Sequence, residues 1–199
     1  MIKSYSQTEI VFDKELNRLD KFVLDFIKLL GEIKYVVVSG YVAILFGRTR
    51  ATEDIDLIIQ DISRSKFEEL AKRVWEKGYW FINGDNIETL YAILREEQSL
   101  RIAKKGEWLP NMEIKFARDE IDEFCLTARV KVTFSGESIY ISPIELQIAY
   151  KLKLGSDKDI EDALHLFQLF KKYLSAESLL HFIRLLKVEV PEWLNFRKR

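Results

Sequence analysis

Asp54 and Asp56 stand one residue apart, behind a glycine turn at Ser39-Gly40, a short apolar stretch, a second glycine at 47 and a loop carrying Arg48, Arg50 and Thr52. In an extended strand successive side chains alternate, so Asp54, Asp56 and Ile58 share one face while Ile55, Leu57 and Ile59 share the other. Carboxylates held side by side repel, and partial burial adds a desolvation penalty that raises the pKa of one or both. A bound cation removes both penalties. Oxygen-only ligands suit Mg2+ or Mn2+, and two such ions about 3.5–4 Å apart recur where phosphoryl or nucleotidyl groups are transferred in line. Ser39 and Gly40 break an apolar run ending at residue 38. A turn there lets a phosphate approach the backbone, with free N–H groups of the following helix aimed at it. The plainer reading makes Ser39-Gly40 a routine turn and the aspartates solvated residues at a strand end.

A two-metal site gains from a third acid, which can ligate the ion and help deprotonate an attacking hydroxyl. Glu113 is the candidate, in the strand over 112–116 and on the same side as Lys115. The competing view is an exposed Glu113–Lys115 pair on an edge strand. Asp119 and Asp122 are weaker candidates, read as a helix cap and a solvated face. Farther along stand Lys151, Lys158, Asp159 and Asp162. Asp159 and Asp162 are three apart and share a helix face, so either could orient Lys151 or Lys158 towards a triphosphate. Such a lysine compensates charge that a metal does not cover. Asp159 also fits a capping-box acid after Ser156.

The stretch with Ser39, Gly40, Arg50, Thr52, Asp54 and Asp56 resembles the signature of the DNA polymerase beta-like nucleotidyltransferase superfamily. More narrowly, it is similar to the minimal nucleotidyltransferases and the abortive-infection toxins of type IV toxin–antitoxin pairs. The run through Lys151, Lys158, Asp159 and Asp162 is similar to the helical motif of the toxin branch. The resemblance implies an α+β fold, a nucleotidyltransferase-like mixed sheet flanked by helices and followed by a small C-terminal helical bundle. It implies a metal-dependent enzyme that moves an NMP from an NTP to an acceptor hydroxyl, on an RNA end or a protein side chain. Asp54, Asp56 and Glu113 would hold Mg2+ or Mn2+ and carry catalysis, with Glu113 in a place usually held by aspartate. Ser39, Gly40, Arg50, Thr52, Lys151, Lys158, Asp159 and Asp162 would bind the nucleotide. A cognate antitoxin or helical partner is a further implied partner. The pattern usually has glycine followed by glycine or serine at the turn. Here Tyr41 follows Ser39-Gly40, which places a bulky side chain near the phosphate site. That departure motivates the alternative of a catalytically inactive binding or regulatory module.

The elements that must position these residues follow from periodicity and caps. Asp13 is placed to cap a helix running to about residue 30. Strand 35–38, helix 41–46, strand 54–59 and a helix from Ser63 or Ser65 to residue 77 come next. A short strand over 79–82, a helix over 87–97, strands over 100–103 and 112–116, a helix over 119–128 and a hairpin of 130–134 with 138–141 complete an αβ half over 1–141. The remainder, 142–199, reads as helical and packed on the first part as one unit. Ser142, Pro143 and Glu145 suggest a capping box, Ser156 opens a second helix and a third runs over 175–186.

The chain has 199 residues, 48% of them hydrophobic, enough for one α/β core with a helical appendage. A net charge of −1 advertises no global attraction to nucleic acid, so any such contact needs a local patch. Trp108, near Lys104, Lys105 and Pro110, reads as a buried loop anchor before a base-stacking platform, and the Arg197-Lys198-Arg199 end as a solvated tail. One cysteine, Cys125, excludes an internal disulfide and fits a buried thiol, while His165 and His181 fit packing or surface roles. No signal-like or membrane-length apolar run is present, so a cytoplasmic protein without membrane contact is expected. Abundant Lys, Glu and Ile beside few Asn and Gln match a thermophilic composition.

Overall fold

A computed structural model of the chain describes residues 2–194; Met1 and the basic residues at 197–199 lie outside them. The order is β1 (Ile2–Tyr5), β2 (Glu9–Phe12), α1 (Arg18–Leu30), β3 (Tyr35–Val37), α2 (Gly40–Leu45), β4 (Asp54–Ile59), α3 (Arg64–Glu76) and β5 (Tyr79–Phe81). It continues with α4 (Ile87–Arg95), β6 (Leu100–Lys104), β7 (Asn111–Phe116), α5 (Glu120–Thr127), β8 (Val130–Phe134) and β9 (Glu137–Ile141). Helices α6 (Ile144–Leu154), α7 (Asp157–Phe170) and α8 (Ala176–Leu185) close the chain. The α+β expectation holds.

The nine strands form one mixed sheet in the order β1-β2-β8-β9-β3-β4-β7-β6-β5. At its centre β4 runs antiparallel to β3 and parallel to β7. One face of these strands is apolar and is covered by α3 and α4, where Tyr91 meets Phe67 and Phe116. The opposite face carries the acids, and α5 packs over β3 and β4 on that side. The hydrophobic core is continuous from Ile10 to Leu194 and takes in both the sheet and the C-terminal helices.

Three local expectations are corrected. Strands β1 and β2 were not expected, and β2 pairs in parallel with β8 from the far end of the αβ half. Helix α1 is capped not by Asp13 but by Asn17, in a capping box with Asp20; Asp13 is paired instead with Lys3. Helix α6 has no capping box: the Ser142 hydroxyl donates to Gln147 Oε1 at 2.7 Å, and Glu145 accepts from the Ser175 N–H at 2.9 Å. Side-chain partners in the fold outcompete the local cap.

Candidate active site

The parallel register of β4 and β7 aligns three pairs across the acidic face: Asp54 with Asn111, Asp56 with Glu113, and Ile58 with Lys115. The backbone and side-chain N–H groups of Asn111 both donate to the Glu53 carbonyl, at 3.0 and 3.3 Å, fixing the entry into β4. The Thr52 hydroxyl donates to the Asp54 carbonyl at 2.9 Å and ties the loop to the start of β4. Glu113 is not on an edge strand, because β7 lies between β4 and β6. Its carboxylate meets Arg101 Nε at 3.4 Å, whereas Lys115 is tied to both oxygens of the buried Asp122 at 2.9 and 3.1 Å. Asp122 is therefore no solvated acid; Asp119 is the cap of α5.

Burial pushes the Asp56 carboxyl above the usual carboxylate range. A hydrogen bond from the Ser39 side chain pulls it down, the neighbouring Asp54 and Glu113 charges push it up, and Lys151 lowers it again. The net rise is what crowded, partly buried carboxylates show.

The turn ahead of α2 is built differently from its sequence reading. Ser39 has φ 63° and ψ −136°, a conformation that strongly favours glycine and costs a residue with a Cβ about 1–3 kcal/mol. Its carbonyl accepts from Gln147 Nε2 at 2.7 Å, and Gln147 is in turn held by Ser142. Gly40 makes room for an arginine: a Cβ there would stand 2.2 Å from Arg50 Nη2. The Arg50 guanidinium thus lies close over the Gly40 backbone. Tyr41 does not crowd the turn, since it is fully buried and its hydroxyl donates to Asp20 Oδ1 at 2.8 Å.

Arg50 forks onto Asp162, Nε to Oδ1 at 3.1 Å and Nη2 to Oδ2 at 2.9 Å. Lys151 Nζ lies 2.6 Å from Asp159 Oδ1 and 3.1 Å from Asp162 Oδ2. The Ser156 hydroxyl donates to the other oxygen of Asp159, and Arg48 pairs with Glu161. Lys151 is 2% exposed and Asp162 fully buried, so neither offers a free face to a ligand. Lys151, Asp159 and Asp162, expected at the nucleotide, are brought together as a buried ionic layer. That layer reaches the site through Arg50 and through the Lys151 charge felt at Asp56. Lys158 is exposed and is not gathered in.

From Ser39, Asp56 and Glu113 a pocket of about 240 Å³ runs between α5 and α6, with Lys115 and the apolar Ile121, Leu146 and Tyr150 on its walls. Cys125 lies buried at its base, its thiol pushed up to about 12 by burial and by Asp122. Trp108 is 63% exposed and meets Trp80 edge-on at 4.9 Å, correcting the buried-anchor reading. His165 packs against the Phe46 carbonyl. Gln147, the pairing of Lys115 with Asp122 and the Arg50 contact with Gly40 escaped the sequence reading. The one available signal was a glutamine set between the apolar Leu146 and Ile148.

Among the described residues no three acidic, histidine or cysteine side chains gather closely enough to hold a metal unaided. An Asp54/Asp56 oxygen pair nevertheless fits Mg2+, which is commonly held by one or two carboxylates with water and substrate phosphates completing its shell.

No protein-family model and no curated sequence matches this chain. Solved structures do. An antigenic nucleotidyltransferase-like protein from Paracoccidioides brasiliensis superposes with a TM-score of 0.50 at 17% identity, over 83% of this chain and 86% of the other. ANT(2")-Ia, solved in complex with adenylyl-2"-tobramycin, gives a TM-score of 0.55 at 15% identity, over 84% of this chain and 95% of that one. The fold is that of the nucleotidyltransferases. The likeness extends over more than four fifths of the chain, and the fold is the one that the resemblance of residues 39–56 implied.

Proposed function

We propose that this chain is a metal-dependent nucleotidyltransferase that moves an NMP from an NTP to an acceptor hydroxyl. The acceptor oxygen bonds to the α-phosphorus, the bond from that phosphorus to pyrophosphate breaks, and the hydroxyl proton is lost to a carboxylate or to water. The observation that carries the reading is Asp56, a raised, partly buried carboxylate set in register beside Glu113 and two residues from Asp54. Mg2+ or Mn2+ held by Asp54 and Asp56 would supply charge stabilisation for the transferring phosphoryl group. Glu113, in register beside Asp56, would take the acceptor proton. Arg50 and the Ser39-Gly40 turn flank the acids, where the pyrophosphate side of the nucleotide would lie.

A protein side chain is favoured over an RNA end as acceptor. Lys115, the cation on the pocket wall, is neutralised by Asp122, and the adjoining groove that shares Ile121 and Leu146 carries Asp119, Glu120 and Glu177. Such walls repel a polyanion. The fit of Lys151, Asp159 and Asp162 to the toxin-branch motif supports a role in a toxin–antitoxin pair. A regulatory module without turnover draws on two observations: Glu113 leans to Arg101, and no three-acid cluster is formed among the described residues.

Incubating the protein with each labelled NTP, Mg2+ or Mn2+ and a total RNA and protein extract tests these readings together. Label on protein from the wild type, absent with Asp54→Asn/Asp56→Asn, supports the enzyme and its acceptor class. Label on RNA keeps the enzyme and overturns the acceptor; nucleotide binding without label in either fraction supports the module.

A further inference from the structure

Helix α6 buries three polar side chains, and each has a dedicated partner. Glu145 holds the start of α8 at Ser175, Lys151 anchors the ionic layer, and Gln147 donates to the Ser39 carbonyl. Gln147 and Lys151 are four residues apart and so lie on one face of α6. That face grips both residues of the turn before α2: Ser39 directly through Gln147, and Gly40 indirectly through Lys151, Asp162 and Arg50. Gln147 itself is 4% exposed and has its amide oxygen fixed by Ser142. Its orientation is therefore set, with the N–H aimed at Ser39. Ser39 adopts a glycine-type conformation while carrying a Cβ, so the turn needs an outside hold.

We propose that Gln147 is a positioning residue for the nucleotide site, holding the Ser39-Gly40 turn so that Ser39 stays on the pocket wall beside Asp56 and Gly40 stays beneath Arg50. The inference rests on the proposed nucleotidyltransferase reading for its ligand. If the buried amide merely satisfied itself, its loss would act the same whatever stood at residue 39. If it holds a strained turn, glycine at 39 makes it dispensable, because glycine adopts that conformation without the Cβ penalty.

A double-mutant cycle of Gln147→Ala and Ser39→Gly separates the two. Affinity for a non-hydrolysable ATP analogue with Mg2+ should fall about tenfold when Gln147→Ala is made in the wild type, and less than twofold when it is made on top of Ser39→Gly. Equal losses in both backgrounds overturn the proposal. Hydrogen exchange at the Gly40 and Tyr41 amides of the ligand-free protein gives a second readout. It should rise in Gln147→Ala and return towards wild type in the double variant; unchanged exchange in Gln147→Ala overturns the clamp whether or not nucleotide binds. A wild type that binds no nucleotide refutes the functional reading instead, and the exchange data then judge the clamp alone. Should Gln147→Ala fail to fold, Ser142→Ala, which frees the glutamine's orientation, runs the same cycle.

Discussion

Asp56 is less stable charged in the folded protein than in the unfolded chain, and that has a measurable sign. Its folded carboxyl binds a proton more tightly than the unfolded one. The native state therefore holds the extra proton in the window above the usual 3.8, and stability falls as pH rises through the folded pKa. Asp56→Asn should raise the melting temperature of the metal-free protein at pH 7 while abolishing transfer, and the gain should vanish below about pH 4. A gain that persists at acid pH would point to packing instead. Gly40→Ala should force Arg50 off Asp162 and destabilise by about 1–3 kcal/mol in urea melts. Arg50→Ala should recover part of that loss, since the clash is with the guanidinium. The acids were legible because strand alternation is a local rule. The reason for Gly40 was not, because a glycine that admits a phosphate and one that admits an arginine look alike in sequence.

At the level of elements, α6 and α7 are fastened by charges that only make sense together. Removing one member of a buried ion pair strands the other, so Asp162→Asn, which leaves Lys151 and Arg50 short of a partner, should destabilise by about 3–5 kcal/mol. Burial alone would raise the Asp159 carboxyl, but hydrogen bonds from Lys151 and Ser156 and the charges of Lys151 and Lys158 outweigh it and hold it low. Its stabilisation is thus present above the usual 3.8 and is lost as pH falls through the folded pKa. Acid melts of Asp159→Asn should be flatter than wild type in that range. Most helices and central strands were legible from apolar period and caps. The β1–β2 hairpin was not: β1 has no fully buried residue, and β2 finds its sheet neighbour only through β8. The expected box at Ser142 failed for a related reason, since its hydroxyl serves Gln147.

For the whole molecule, one core joins the sheet to the C-terminal helices across residue 141. A single cooperative unfolding transition is expected, with residues 1–141 alone lacking the α6 and α7 cover and failing to give one. Two resolved transitions in calorimetry would establish independent domains. Mg2+ with ATP at a hundred times its Kd should add about 2.7 kcal/mol to the wild type and nothing to Asp54→Asn/Asp56→Asn. The parallel pairing of β2 with β8 and the hold of Gln147 on Ser39 also impose an order in time. On the ribosome, Asp54, Asp56 and Glu113 all emerge while β2 still waits for its neighbour and the turn at Ser39 still lacks its glutamine. A nascent chain therefore carries its acids before it can aim them, and the hold on Ser39 arrives only once α6 has been made.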